Sequence, residues 1–318
     1  MPSRGGLARA AIGVAISAVA LFLVVRSVDL GAVWQTIQRA EPRWLALMLV
    51  FLCIDLFLRA VRWRTLLAPV AAVPIRTTLG SLLVGYLANN VLPARLGELV
   101  RSHDLGQRTG ISRSTILGTI VVERVVDTIV AVAIAAVAIL VLSVRGIVAS
   151  AVLIGLAVTA LLVVAIAVGL AAHRLPGADR AREFIARWPR VHDVMRRLRD
   201  GLRVASDPRT MALAVALSLG SWTCSVLTFA SAAQAVGIAP TIGQAALLSA
   251  GTNLATAIPA APGYVGTFEL AAVTIGGSIG IAAEPALAFG VLVHAAALLV
   301  TSLGGAIAFM TGSRAANR

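Results

Sequence analysis

The chain alternates between long apolar runs and short polar intervals rich in arginine, and two of the runs are interrupted. Six runs have spanning character: about Leu7–Val25, Trp44–Leu58, Ile116–Leu142, Ile147–Ala172, Met211–Val236 and Pro285–Met310. A helix needs about 20 apolar residues to cross a bilayer. The second run is short, and it gains length by continuing through Ala60 and Val61, with Arg59 and Arg62 snorkelling to the interface. The interrupted runs are Leu79–Gly110, with Asn89, Asn90, Pro93, Gly97 and Glu98, and Ile242–Ile281, with Asn253, Pro259, Pro262, Gly263, Gly266 and Glu269. Each reads as an apolar half-helix, Asn, a Pro-x-x-x-Gly turn, Glu and a second half-helix. Backbone freed by Pro and Gly at membrane depth must be buried in protein or line a cavity. Matched interruptions in two halves point to a transporter's binding site.

The pattern predicts an all-α polytopic membrane bundle of about six spanning helices and two re-entrant helical hairpins, or eight or so passes if the broken runs cross outright. A single membrane domain, 1–318, divides into a first half, 1–142, and a second half, 147–311, in inverted orientation. A basic amphipathic insertion, 173–209, lies between the spans on the cytoplasmic side. There Phe184, Trp188, Val191, Met195, Leu198 and Leu202 recur as one helical stripe. Ten Arg against five acids make the rest of the insertion basic, suited to anionic headgroups or to packing on the bundle.

Composition agrees with membrane residence: 59% hydrophobic, 13% charged, mean hydropathy +0.93. Soluble domains are nearer a quarter charged. The net charge of +13 does not signal nucleic acid, because the arginines sit in loops between apolar runs. All 27 basic residues are Arg. Placing both termini in the cytoplasm puts 22 of them inside, four (Arg26, Arg39, Arg43 and Arg145) outside and Arg124 within the membrane. That is the positive-inside bias of an inner-membrane protein. Arg4, Arg9 and Ala18-x-Ala20 imitate a signal peptide, but the apolar run continues to Val25, so an uncleaved first helix is expected. Cys53 and Cys224 lie in apolar runs with no metal-type or disulfide spacing. Neither a metal nor another cofactor is expected, and no soluble catalytic motif is present, so the chain is not read as an enzyme.

Intramembrane charges are costly and mark function or pairing. Glu123 and Asp127 share a helical face and Arg124 can bridge to Asp127. Arg95, Glu98 and Arg101 share a face after Pro93. Arg95, Glu98, Arg101, Arg124, Asn90 and Asn253 are therefore candidates for holding a phosphate, which the guanidinium fork matches. Glu123, Asp127 and Glu269 are candidates for proton coupling or gating. Glu269 has no basic neighbour in sequence, and His294 reads as a packed neutral side chain. Asp55 and Arg59 read as a headgroup anchor. Asn89, Asn90 and Asn253 read as caps of the broken ends. The alternative to a binding cavity is a salt-bridge network that only holds the bundle together.

Four stretches carry a family resemblance: Phe57-Leu-Arg-Ala-Val-Arg-Trp-Arg64; Asn90-Val-Leu-Pro-Ala-Arg-Leu-Gly-Glu98 with Arg101; Glu123-Arg-Val-Val-Asp127; and Asn253 through Pro262-Gly-Tyr-Val-Gly-Thr-Phe-Glu269. In this order they resemble the flippase-like integral membrane family that includes the transmembrane region of lysylphosphatidylglycerol synthases. The resemblance covers nearly the whole chain. It implies movement of a lipid between leaflets, and it carries Pro93, Arg95, Gly97, Glu98, Arg101, Glu123, Arg124, Asp127, Pro262, Gly263, Gly266 and Glu269 across as motif residues. The synthases continue into a soluble aminoacyl-transfer domain and this sequence stops at Arg318, so aminoacyl transfer is not expected of it. The expected activity is transport of an anionic, phosphate-bearing lipid by alternating access. A membrane partner for a lipid- or glycan-modifying enzyme, or a small-solute transporter, is the alternative.

Overall fold

A computed structural model describes residues 4–92, 96–171, 197, 201–257 and 260–316. Pro93, Arg95, Pro259 and most of the 173–209 insertion, Trp188 included, lie outside the described residues. Among those described there are eleven α-helices: α1 (Arg4–Ser27), α2 (Leu30–Gln38), α3 (Pro42–Leu67), α4 (Ile75–Val91), α5 (Gly97–Thr109), α6 (Arg113–Leu142), α7 (Ile147–Ala171), α8 (Pro208–Ala235), α9 (Ile242–Ala255), α10 (Thr267–Ser278) and α11 (Ala283–Ala316). The chain is a polytopic helical bundle. By length and apolarity α3, α6, α8 and α11 each suffice to span a membrane, and α1 with α2 forms a pair bent by 85°.

Local chemistry sets the ends. Asp29 caps α2 by accepting from the amides of Gly31 and Ala32, which turns the chain sharply out of α1. The Pro42 and Pro208 rings start α3 and α8 at positions that need no amide donor. Asp207 caps α8 through the amides of Arg209 and Thr210. Gly110 ends α5 with φ +73°. The apolar pattern does not announce α2, and α3 runs well past the expected Leu58 end.

Both broken runs are hairpins. In the first, Ser81 meets Asp104 and Asn89 meets Gly97, so α4 and α5 are antiparallel. In the second, Gln244 reaches Ile279 and Gly251 faces Ile275, so α9 and α10 are antiparallel too. At about 1.5 Å rise per residue, α5, α9 and α10 reach only about 18–21 Å, short of a ~30 Å hydrocarbon core. None of the three is long enough to cross alone.

Helix pairings recur in matching order along the chain, α4 on α5 and α5 on α6, then α9 on α10 and α10 on α11. α3 packs antiparallel on α8, with Glu41 near Ala235 and Arg62 near Ser218. α4 packs antiparallel on α11, with Gly80 by Ala308 and Asn90 by Thr301. The counterpart is α9 on α6, with Gly243 by Leu142. The turn of the second hairpin ends against the middle of α1, where the Ser17 hydroxyl accepts the Ala261 amide at 2.8 Å. The same turn abuts the Asn90 carbonyl at the end of α4, close enough that a methyl on Gly263 would touch it. The two hairpins thus enter from opposite faces and meet inside the bundle.

Candidate functional site

Asp55, Arg59 and Arg62 lie at i, i+4 and i+7 on α3, a single inward stripe. Arg59 Nε donates to both oxygens of Asp55 at 2.9 and 3.0 Å, and its Nη1 reaches Asp127 at 3.2 Å. Arg62 donates to Asp127 at 2.7 Å and to Glu123 at 3.1 Å. Arg101, from α5, reaches the other Glu123 oxygen at 2.6 Å. α8 supplies uncharged donors: Trp222 Nε1 to Asp127 at 3.0 Å and the Ser221 hydroxyl to Asp55. The side chains of Arg62 and Glu123 are 0% exposed. Such a cluster is tolerable in a low-dielectric interior only because each carboxylate meets several donors.

This arrangement corrects the sequence reading of α3. Arg59 and Arg62 do not snorkel, and Asp55 with Arg59 is no headgroup anchor. The helix continues to Leu67, which places all three within the bundle. Arg124 does not bridge to Asp127, whose ion-pair partners are Arg59 and Arg62. It turns instead toward Glu123 at 3.4 Å.

Arg124 is the least committed guanidinium of the cluster. Its side chain is 39% exposed, and its ion pair with Glu123, at 3.4 Å, is the longest in the cluster. It lines a narrow cleft of about 10 Å³, room for about one water, together with Arg101, Glu98, Asn89, Gly97, Gly85, Tyr86 and Leu82. The cleft depends on the hairpin's tight packing. A Cβ on Gly97 would overlap the Gly85 carbonyl oxygen. The Gly97 amide, which begins α5, is satisfied by Asn89 Oδ1 at 2.7 Å, so Asn89 caps the break as expected. Arg101 is steadied by the Trp63 ring, 4.4 Å from its guanidinium carbon. Close in sequence to the cleft residues, Leu96, Leu99 and Val121 are exposed side chains.

Asn90 and Asn253 do not cap. Asn90 Nδ2 donates to the hydroxyls of Thr301 and Ser302 on α11, both at 2.9 Å, and ties the hairpins' common core. Asn253 Nδ2 donates back to the Ser249 carbonyl in its own helix. Neither faces the cleft.

The second hairpin holds a separate polar centre. Gly263 and Gly266 have φ of +70° and +87°, which only glycine adopts without strain. Glu269 Oε2 accepts the Gly266 amide at 2.7 Å. Glu269 Oε1 lies 2.6 Å from His294 Nδ1, and His294 Nε2 lies 2.7 Å from the Gly263 carbonyl oxygen. The Phe268 ring stacks on the imidazole at 4.5 Å. Glu269 therefore has a basic partner, and His294 is not a merely packed side chain. The pair is 25 residues apart in sequence and on different elements, which hid it. Among the described residues no group of three His, Cys, Asp or Glu side chains could hold a metal ion.

Fold and site together define a multi-pass membrane protein built on two helical hairpins around a buried arginine–carboxylate cluster. The chain belongs to the family described as the lysylphosphatidylglycerol synthase TM region, whose model matches residues 10–305. It is similar to a glycosyltransferase, AglD, of Haloferax volcanii, 26% identical over 328 residues covering 92% of this chain and 53% of that protein. It is also similar to a UPF0104 membrane protein of Methanothermobacter thermautotrophicus, 29% identical over 123 residues, 38% of this chain and 36% of that protein. The chain thus spans about half of the first relative and about a third of the second. No solved structure matches.

Proposed function

We propose that the protein moves an amphiphile with an anionic, phosphate-bearing headgroup between the leaflets of the cell's inner membrane. The observation that carries this reading is the surroundings of Arg124. A partly exposed guanidinium with a single long ion pair lines a cleft with Arg101 and Glu98, and the sequence neighbours Leu96, Leu99 and Val121 are exposed aliphatic side chains. A small solute needs only the cleft, whereas a lipid uses both parts, headgroup on Arg124 and Arg101 and acyl chain along the aliphatic side chains. Glu123 holds both arginines, and Glu98 lines the same cleft. The antiparallel, recurring helix pairings support an inverted repeat, with exchange of access by rocking of the halves. The start of α1 and the end of α11 lie on the face where α3 ends, and the arginine-rich loops favour that face as cytoplasmic.

The test is transfer of a fluorescently labelled phosphatidylglycerol across the bilayer of proteoliposomes. Wild type is expected to expose the inner-leaflet probe to an external quencher, Arg124→Gln to slow this at least about tenfold, and Arg124→Lys to restore part of it. Equal rates for wild type and Arg124→Gln, both folded, refute the assignment. A second reading is favoured by the relative named a glycosyltransferase: a membrane partner for a lipid- or glycan-modifying enzyme. A stoichiometric enzyme in mild-detergent pull-down, from a protein that moves no lipid, would select it.

A further inference from the structure

We infer that Glu269 and His294 form a proton-binding site that holds the turn of the second hairpin against α11. Their hydrogen bonds do not balance without an extra proton. His294 faces two acceptors, a carboxylate oxygen at 2.6 Å and a peptide carbonyl oxygen at 2.7 Å. A carbonyl can only accept, so Nε2 must carry its hydrogen toward Gly263. The Nδ1···Oε1 contact then needs a second hydrogen, borne by the ring as imidazolium or by the carboxyl. A neutral imidazole has one N–H and an ionised carboxylate has none. With the extra proton gone, one of the two contacts sets lone pair against lone pair. The ring is buried under Phe268 and has no room to substitute a water shell for the lost bond.

The contact that fails is a structural one. His294 ties Gly263, in the left-handed turn, to α11, while Glu269 ties the same turn's Gly266 amide to α10. The turn in turn holds α1 through Ser17 and abuts the end of α4 at Asn90. Loss of one proton therefore frees the tip of one hairpin where it meets the other.

Of the elements packed on α11, α3 carries Arg43, Cys53, Asp55, Arg59, Arg62 and Arg64, of which Asp55, Arg59 and Arg62 are committed to the buried cluster. α2 and α9 carry none. α10 carries Glu269 alone, and the turn carries Tyr264. α1 carries Arg4, Arg9 and Arg26, α4 carries Arg76 and Tyr86, and α8 carries Arg209 and Cys224. On α11, Glu284 stands ten residues before His294, about 15 Å by helix rise, and Arg314 stands twenty after it. The ion pair that Glu269 makes is with His294. Acid keeps the proton and the closed turn; alkali removes the proton and opens it.

Only the consequence, that a proton is the ligand exchanged against lipid, rests on the lipid-moving reading. The site itself is tested without any transport. Amide hydrogen exchange of the peptide covering 260–268 is measured on the detergent-purified full chain at about pH 5.5 and 8.5 and corrected for intrinsic exchange rates. Wild type is expected to exchange at least about tenfold faster at the higher pH, and Glu269→Gln and His294→Gln to lose that dependence. Equal corrected protection at the two pH values in wild type overturns the proposal, whatever the variants do. In proteoliposomes, a pH gradient should then drive the labelled phosphatidylglycerol to unequal leaflets. Movement with equal leaflets under a gradient overturns the coupling and leaves the lipid-moving reading standing. No movement at all removes that reading while the exchange measurement still decides the site.

Discussion

Glu123→Gln is the sharpest perturbation of the buried cluster. One Glu123 oxygen takes Arg101 at 2.6 Å, and the other takes Arg62 at 3.1 Å and Arg124 at 3.4 Å. The cluster sets Arg59, Arg62, Arg101 and Arg124 against Asp55, Glu123 and Asp127, an excess of one positive charge, with Glu98 half-buried at its rim. The isosteric amide keeps the volume and removes the charge that three guanidiniums share. Removing one partner of a buried ion pair costs about 3–5 kcal/mol, about a hundredfold to a few thousandfold in the folding equilibrium. Arg62→Met should cost less, because Glu123 keeps Arg101 and Arg124 while Asp127 keeps Arg59 and Trp222. The double variant restores the wild-type excess of one charge, so its loss should fall short of the sum of the single losses by at least about 1 kcal/mol. Equilibrium unfolding in mixed dodecyl sulfate and mild-detergent micelles, followed by circular dichroism, reads all three. A Glu123→Gln stability within about 0.5 kcal/mol of wild type, or strict additivity in the double variant, refutes the account of the cluster.

Other outcomes follow from single contacts. Gly97→Ala drives a methyl into the Gly85 carbonyl and should cost about 2–3 kcal/mol, whereas Gly277→Ala, with open space around it, should be neutral or slightly stabilising in the same unfolding assay. Asn89→Ala strands the Gly97 amide inside the hairpin and should cost about 1–3 kcal/mol, with faster exchange of the first α5 amides as the local readout. At the exposed start of α8, hydrogen bonds from the Thr210 side chain and amide hold the Asp207 carboxyl below the usual carboxylate range. A depressed value means that the cap's contribution is present at neutral pH and is lost as pH falls through the folded-state titration. Asp207→Asn keeps an acceptor and removes the titration, so the stability gap between the two proteins should close on acidification from about pH 7 to 3.

The spans and both breaks were legible because their signals are local: apolar length, Pro-x-x-x-Gly, and Glu123 and Asp127 four apart. Arg59 and Arg62 were misread for a local reason as well. They stand at the end of a short apolar run, where snorkelling is the cheaper solution. The contrary signal was in the sequence, since Asp55, Arg59 and Arg62 repeat at four and three, the spacing of a buried stripe, as do Ser218, Ser221, Trp222 and Ser225 on the facing helix α8. Two matching polar stripes in apolar runs forecast a shared interior. The Glu269–His294 contact had no such signal, because the fold alone brings α10 and α11 together.

Position in the fold gives that contact its meaning. Arg124 is the twelfth residue of α6 and His294 the twelfth of α11, and each of these helices follows a helical hairpin. Each hairpin also places a Glu in the first turn after its break, Glu98 in α5 and Glu269 in α10. One hairpin therefore shares a cleft between its carboxylate and a permanent cation, and the other pairs its carboxylate with a titratable base. Replacing the base by a permanent cation tests whether that difference matters. In His294→Lys the ammonium can donate to both Glu269 and the Gly263 carbonyl at any pH below its own titration. The turn should then stay protected at about pH 8.5 as wild type is at about pH 5.5, in the same corrected exchange measurement. If the turn of the His294→Lys variant still opens on alkalinisation, some other group governs the hairpin, and the asymmetry between the two halves carries no function.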